Sequence, residues 1–351
     1  MRFRAELEPL SPYNPPRASQ EAAAERGTGG LVKLTSNELS FGPLPEAEAA
    51  LAEALPRANR YPDRYAAALR EAVAAANPGS DVANVLVGNG SSEVLQNLLM
   101  LVERPGEVLF PWPTFTLYPS IAATLGLRAR RVPLTEEHRV KPEALLSAVT
   151  GETRAVILCN PNNPTGTHLT LEEVSAFADA LPEDVLLILD EAYQEFVADP
   201  AYHGSHALAL ERPNVAVART FSKAHGLAGF RVGYGLASRE IADYAERVRF
   251  PFSVNLAAQV AATASMQARE KIRARAEFVI RERERVERAF REAGLNYVHS
   301  QGNFVLVETS PALFERAGVL VREGDPLGYP GWSRVTIGNT QENDLVIGAL
   351  G

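Results

Sequence analysis

The run Val185-Leu-Leu-Ile-Leu189 is apolar without interruption and stops at Asp190. A short segment that is apolar on both faces suits a strand covered on both sides, the condition of a parallel sheet clad in helices. Ala155–Cys159 reads as another buried strand, and Glu107–Phe110, Val85-Leu-Val87 and Val215-Ala-Val-Ala218 are further strand candidates. Amphipathic stretches over Pro45–Leu55, Tyr65–Ala76 and Leu171–Leu181 predict helices among them. The expected fold is therefore α/β, with a mostly parallel, helix-covered central sheet. Residues 31–255 are expected to form the large domain and 256–351 a smaller α+β domain, with 1–30 as an arm packing against it. The passage between domains is expected in one long helix over 256–292, whose Arg- and Glu-rich second half reads as a solvated face laced with ion pairs.

In an open α/β sheet, ligands bind beyond the carboxyl ends of the strands, and this is where the chain keeps its chemistry. Of 35 Lys plus Arg, only four are Lys: Lys33, Lys141, Lys223 and Lys271. A plain surface cation is almost always Arg here, so Lys223, just past Val215–Ala218 and among small and apolar residues, is a candidate for chemistry. A desolvated Lys can lose its proton and attack a carbonyl, which Arg does not do. A Lys that merely caps a strand end is the plainer alternative. Asp190, if buried, needs a cationic partner. Gly88-Asn-Gly90-Ser91-Ser92-Glu93 opens an apolar helix, whose free N–H groups and dipole can hold a phosphate; a simple Ser cap is compatible with that use. A reactive Lys, a carboxylate and a phosphate site together point to pyridoxal 5'-phosphate. Phe115 is the candidate to stack on the cofactor ring, while Trp112 and Tyr118 read as core. Asn163, in the turn Asn160–Gly166, can donate to an oxygen on the ring, and Tyr193 can hydrogen-bond its phenolic oxygen.

Composition narrows the alternatives. A net charge of -8 and a sequence pI near 5.5 argue against a nucleic-acid binder. The six histidines show no metal-ligand spacing. Cys159 is the lone cysteine, so no intrachain disulfide forms, and a reducing compartment is expected. No apolar stretch approaches the roughly 18 residues of a membrane span, which makes the cytoplasm the default location. The GxG at 88–90 lacks the third glycine of a dinucleotide fingerprint.

The pieces SPYNPPR (11–17), KLTSNE (33–38), RYPD (60–63), VGNGSSE (87–93), PTFTLY (113–118), NPNNPTG (160–166), DEAY (190–193), SKAHGLAGFRVGY (222–234), GNFVLV (302–307) and SRVTIGNTQEN (333–343) occur in this order. With them the chain resembles the fold-type-I aminotransferases of class II, and among these the histidinol-phosphate aminotransferase subfamily. The resemblance implies transamination between histidinol phosphate and 2-oxoglutarate or L-glutamate, as in histidine biosynthesis. It implies that Lys223 carries the cofactor, that Asp190 pairs with the ring nitrogen, and that Arg231 with Gly90, Ser91, Ser92 and Ser222 holds the phosphate. It implies a homodimer with shared active sites, in which Tyr61 reaches the neighbouring subunit's cofactor. Tyr13, Asn37, Arg322 and Arg334 are implied at the substrate. Phe115 and Gln341 depart from the pattern, standing where relatives usually have Tyr and Arg. Aminotransferases for aromatic amino acids and a threonine-phosphate decarboxylase share nearly all of these motifs and are the alternatives on the same scaffold.

Overall fold

A computed structural model describes residues 4, 7, 8, 10 and 31–351. Tyr13 and nearly all of the arm over 1–30 lie outside the described residues. The strands are β1 (Val32–Leu34), β2 (Val85–Gly88), β3 (Glu107–Trp112), β4 (Arg128–Pro133), β5 (Thr153–Cys159), β6 (Leu186–Asp190), β7 (Val215–Thr220) and β8 (Gly233–Ala237). They are followed by β9 (Tyr297–Val298), β10 (Phe304–Val307), β11 (Val319–Glu323) and β12 (Ser333–Thr336). The larger sheet has seven strands in the order β2-β8-β7-β6-β5-β3-β4. Only β8 is antiparallel to its neighbours, β2 and β7. Within β6, Leu187 and Leu189 enter one buried cluster, and Leu186 and Ile188 the cluster on the opposite face. That is why the run is apolar at every position: helices cover both faces.

The smaller sheet has five strands in the order β1-β11-β12-β10-β9, and only the β1–β11 pairing is parallel. Val32–Leu34 therefore belongs to the smaller sheet and not to the larger one with which the range 31–255 grouped it. A second difference concerns residues 256–292, which form two helices, Leu256–Gln267 and Arg269–Glu292, with Ala268 between them. The first packs against the helices Pro45–Ala54 and Ala67–Ala76, and its Ala258, Ala261 and Ala262 enter the large-domain core. The second sends Ile272, Ala276, Val279, Val286 and Phe290 into the core of the smaller sheet. One straight helix cannot present its apolar stripe to both cores, so the chain breaks between them. The charged second helix is also less solvated than its composition suggests. It has the expected pairs Arg273–Glu270 and Arg285–Glu282, but Arg283 is buried and donates from Nη1 to the carbonyls of Phe196 and Gly302, both at 2.9 Å. Buried, it ties the helix to two loops.

Candidate active site

Strands β5, β6 and β7 are adjacent and parallel, so the residues that follow them emerge together. With the start of the helix Gly90–Met100 they surround a cavity of about 330 Å³. Lys223, Asp190, Tyr193, Asn163 and Phe115 line it, as do Ser91, Ser92, Ser222 and Arg231. Ser36, Glu38, Cys159 and Thr220 also line it and were not singled out from the sequence.

At one end, Asp190 is buried beneath the cavity, and its Oδ2 accepts a hydrogen bond from Tyr118 Oη at 2.7 Å. Its Oδ1 is buried with no hydrogen-bond partner among the described residues. Burial raises the Asp190 carboxyl to about 6, against the Tyr118 hydrogen bond that lowers it. A buried carboxylate with one idle oxygen is costly by itself and calls for a donor, above all a cationic one. Tyr118 is thus more than the core residue its sequence context suggested: it is fully buried, and its hydroxyl orients the carboxylate. Lys223 Nζ donates to the Ser36 carbonyl at 3.0 Å and lies 5.6 Å from the Tyr193 ring centroid. Burial, joined by the positive charges of Arg334 and Arg231 and opposed by the negative charges of Glu38 and Asp190, brings the amine down to about 7. A Lys so placed is about half neutral near pH 7, and its neutral form is nucleophilic. The Cys159 thiol, by contrast, is pushed up to about 12 by burial, and stays protonated.

The opposite end is built for an anion. Gly90 has φ of 75°, and a Cβ there would stand 2.5 Å from Arg231 Nη2. Glycine therefore lets the guanidinium lie against the first turn of the helix, beside the N–H groups of Ser91 and Ser92. Arg231, itself at φ of 58°, donates from Nη1 to Ser222 Oγ at 3.2 Å and to the Ala228 carbonyl at 2.9 Å. The Ser cap weighed from the sequence is absent: Asn89 precedes the helix without a side-chain cap, and both serine hydroxyls are left to the cavity.

A polar network closes the side facing the smaller sheet. Tyr193 Oη accepts from Asn37 Nδ2 at 3.0 Å and from Asn163 Nδ2 at 3.2 Å. Its own hydrogen remains for a group in the cavity. Arg334, from β12, donates to Asn163 Oδ1 at 2.6 Å and to the Thr35 carbonyl at 2.7 Å. Arg322 is the residue of β11 directly opposite Arg334 and so shares its face of the sheet, although it does not line the cavity. Tyr61 stands apart from the cavity: it is 83% exposed and stacked on Phe252 at 4.7 Å and 24°.

The family model for aminotransferase class I and II matches residues 30–350. The chain is 99% identical to a curated histidinol-phosphate aminotransferase of Rubrobacter xylanophilus over the full length of both. It is 44% identical to an aromatic amino acid aminotransferase of Rhodococcus erythropolis, covering 92% of this chain and 90% of that one. Among solved structures, histidinol-phosphate aminotransferase from Sinorhizobium meliloti in complex with pyridoxal-5'-phosphate aligns with a TM-score of 0.87 at 30% identity, covering 99% of this chain and 96% of that chain. The chain belongs to the aminotransferase class I and II family.

Proposed function

We propose that this protein is a pyridoxal-phosphate-dependent aminotransferase that exchanges the amino group of histidinol phosphate with 2-oxoglutarate and L-glutamate in histidine biosynthesis. The observation that carries the reading is the pairing, across one cavity, of the idle buried Oδ1 of Asp190 with the Gly90–Arg231 anion cradle. A protonated ring nitrogen fits the first and a phosphate the second, with Lys223 between them to bond the aldehyde. Bound there, the cofactor supplies an electron sink that weakens the Cα–H bond of an amino substrate. The Lys223 amine would hold the cofactor through its aldehyde carbon, whose oxygen leaves as water, and, once freed by the substrate amine, would take the proton from the substrate Cα and deliver it to the former aldehyde carbon, two atoms away. Asp190, held by Tyr118, keeps the ring nitrogen protonated. Asn163 and Tyr193 hold the ring oxygen, Phe115 covers one ring face, and Ser91, Ser92, Ser222 and Arg231 hold the phosphate. Arg334, with Arg322 on the same face, takes the phosphate of one substrate and the carboxylate of the other, since a planar guanidinium matches both anions. Asn37 and Tyr13 complete the substrate side. The test is an assay of the purified protein with histidinol phosphate, phenylalanine, glutamate and threonine phosphate. Turnover with 2-oxoglutarate should be higher for histidinol phosphate than for phenylalanine or threonine phosphate. A preference for phenylalanine would favour the aromatic reading, which the 44% identical relative keeps in view.

Tyr118→Phe is expected to lower kcat/KM about tenfold, the scale of one buried hydrogen bond to a charged group, with an unchanged circular dichroism spectrum. Wild-type kcat/KM in that variant would remove the Tyr118 hydroxyl from the reaction.

The homodimer belongs to the same proposal. Tyr61 and Phe252 are exposed and stacked on each other, and Tyr65 and Phe250 are exposed on the same two segments, which the Arg249 hydrogen bond to the Arg64 carbonyl joins; this marks an interaction face. That face adjoins the anion cradle, because Asn89 Nδ2 donates to the Ser253 carbonyl at 3.3 Å. A second copy seated there would bring its Tyr61 to the phosphate end of this site. Mixing Lys223→Ala with Tyr61→Ala subunits should then restore activity, to roughly a quarter of wild type for random pairing of twofold-symmetric subunits. Demonstrated heterodimers without recovered activity would mean that the sites are not shared.

A further inference from the structure

We infer that Glu38 sets the substrate preference of this site, its carboxylate accepting the ring N–H of an imidazole-bearing amino substrate. The inference rests on the reading of the site as one for histidinol phosphate and assigns the end of the substrate that the arginines do not hold. The stretch Thr35–Glu38 forms one wall of the site, and its residues meet different parts of it in turn. The Thr35 carbonyl accepts from Arg334 at 2.7 Å, the Ser36 carbonyl accepts from Lys223 at 3.0 Å, and Asn37 donates to Tyr193 at 3.0 Å. Glu38 comes next and lines the cavity.

Three residues of chain span at most about 10 Å. Glu38 therefore lies within one small molecule's length of the Arg334 contact. A substrate with its phosphate at Arg334 and its amino carbon at Lys223 has its remaining substituent, the ring, to send along this wall. Among the described residues lining the cavity, the only carboxylates are Asp190 and Glu38. Asp190 is buried and held by Tyr118, whereas the Glu38 side chain is 47% exposed, at the rim. Its ion pair with Lys33, at 2.9 Å, uses Oε2 and is itself exposed, so it holds the carboxylate weakly and leaves Oε1 for another donor. An imidazole offers that oxygen an N–H and, when protonated, a charge. A phenyl ring offers neither. A site arranged to hydrogen-bond one group discriminates against analogues that lack it.

The experiment compares histidinol phosphate with phenylalanine as amino donors to 2-oxoglutarate, reading the ratio of their kcat/KM values. Glu38→Met should lower that ratio about tenfold, mainly through KM for histidinol phosphate. Glu38→Gln, whose amide oxygen still accepts but carries no charge, should fall between. Lys33→Met, which frees the carboxylate, should leave the ratio at or above wild type. An equal loss for both donors in the Glu38 variants would overturn the inference and show that Glu38 acts through the Lys223 amine. So would an unchanged ratio, or a ratio that falls in Lys33→Met. Failure of the wild type to use histidinol phosphate would overturn the functional reading first, and with it this inference.

Discussion

Lys223→Ala is expected to abolish transamination, lowering the rate by at least about 10⁴-fold, because in the proposed function one change removes both the amine that bonds the cofactor and the general base. The structure motivates the size of the effect. No other Lys lines the cavity among the described residues, and burial with Arg334 and Arg231 brings the Lys223 amine to about 7, close to working pH. Borohydride treatment of the wild type should add the cofactor's mass to the peptide that contains Lys223, and the variant should show no such labelling. A variant that keeps the wild-type rate, or a label on another Lys, would dismantle the assignment.

Asp190→Asn has opposite consequences for the empty and the loaded protein. With cofactor, loss of the anion proposed to face the ring nitrogen should cost about 3 to 4 kcal/mol of transition-state stabilisation, a rate loss of several hundredfold. Without cofactor, the variant should be more stable than the wild type near neutral pH. Burial raises the Asp190 carboxyl from 3.8 to about 6, so the folded state holds its proton more tightly than the unfolded state. The wild type then has its full contribution below about pH 4 and loses it as pH rises through about 6. The loss is on the order of 3 kcal/mol above that range. Thermal melts of the two apo-proteins should accordingly diverge between about pH 4 and 6 and stay apart above it. Identical pH dependence would mean that the buried carboxylate is not strained, and near-normal turnover by Asp190→Asn would move the ring nitrogen elsewhere.

How much of the site could be read beforehand depended on whether a signal was local. Lys223 stood out because the chain uses Lys so rarely, and Asp190 because a charge ends a run that is otherwise apolar. Asn163 lies in a Pro- and Gly-punctuated turn directly after a strand. Tyr118 gave no such signal: it sits among apolar residues, and its partner is 72 positions away. Ser36 was invisible for a different reason, since it contributes its backbone carbonyl, which every residue carries. Glu38 looked like an ordinary charged residue, and only the closing of the cavity brought it to the rim.

The same distinction runs through the fold. Periodicity and strand-end chemistry are short-range properties, and they sufficed for a mostly parallel sheet with cavity-lining residues at its carboxyl edge. The pairing of Val32–Leu34 with Val319–Val321 joins segments at opposite ends of the chain through backbone hydrogen bonds, which are blind to side-chain identity. The break at Ala268 has no Gly or Pro beside it; it exists because two cores each claim one helix. The sequence by itself determined which residues could do the chemistry and which strands would present them. The tertiary structure alone decided which polar atoms remain unmatched, Asp190 Oδ1 above all, because whether a buried group finds its partner depends on everything packed around it.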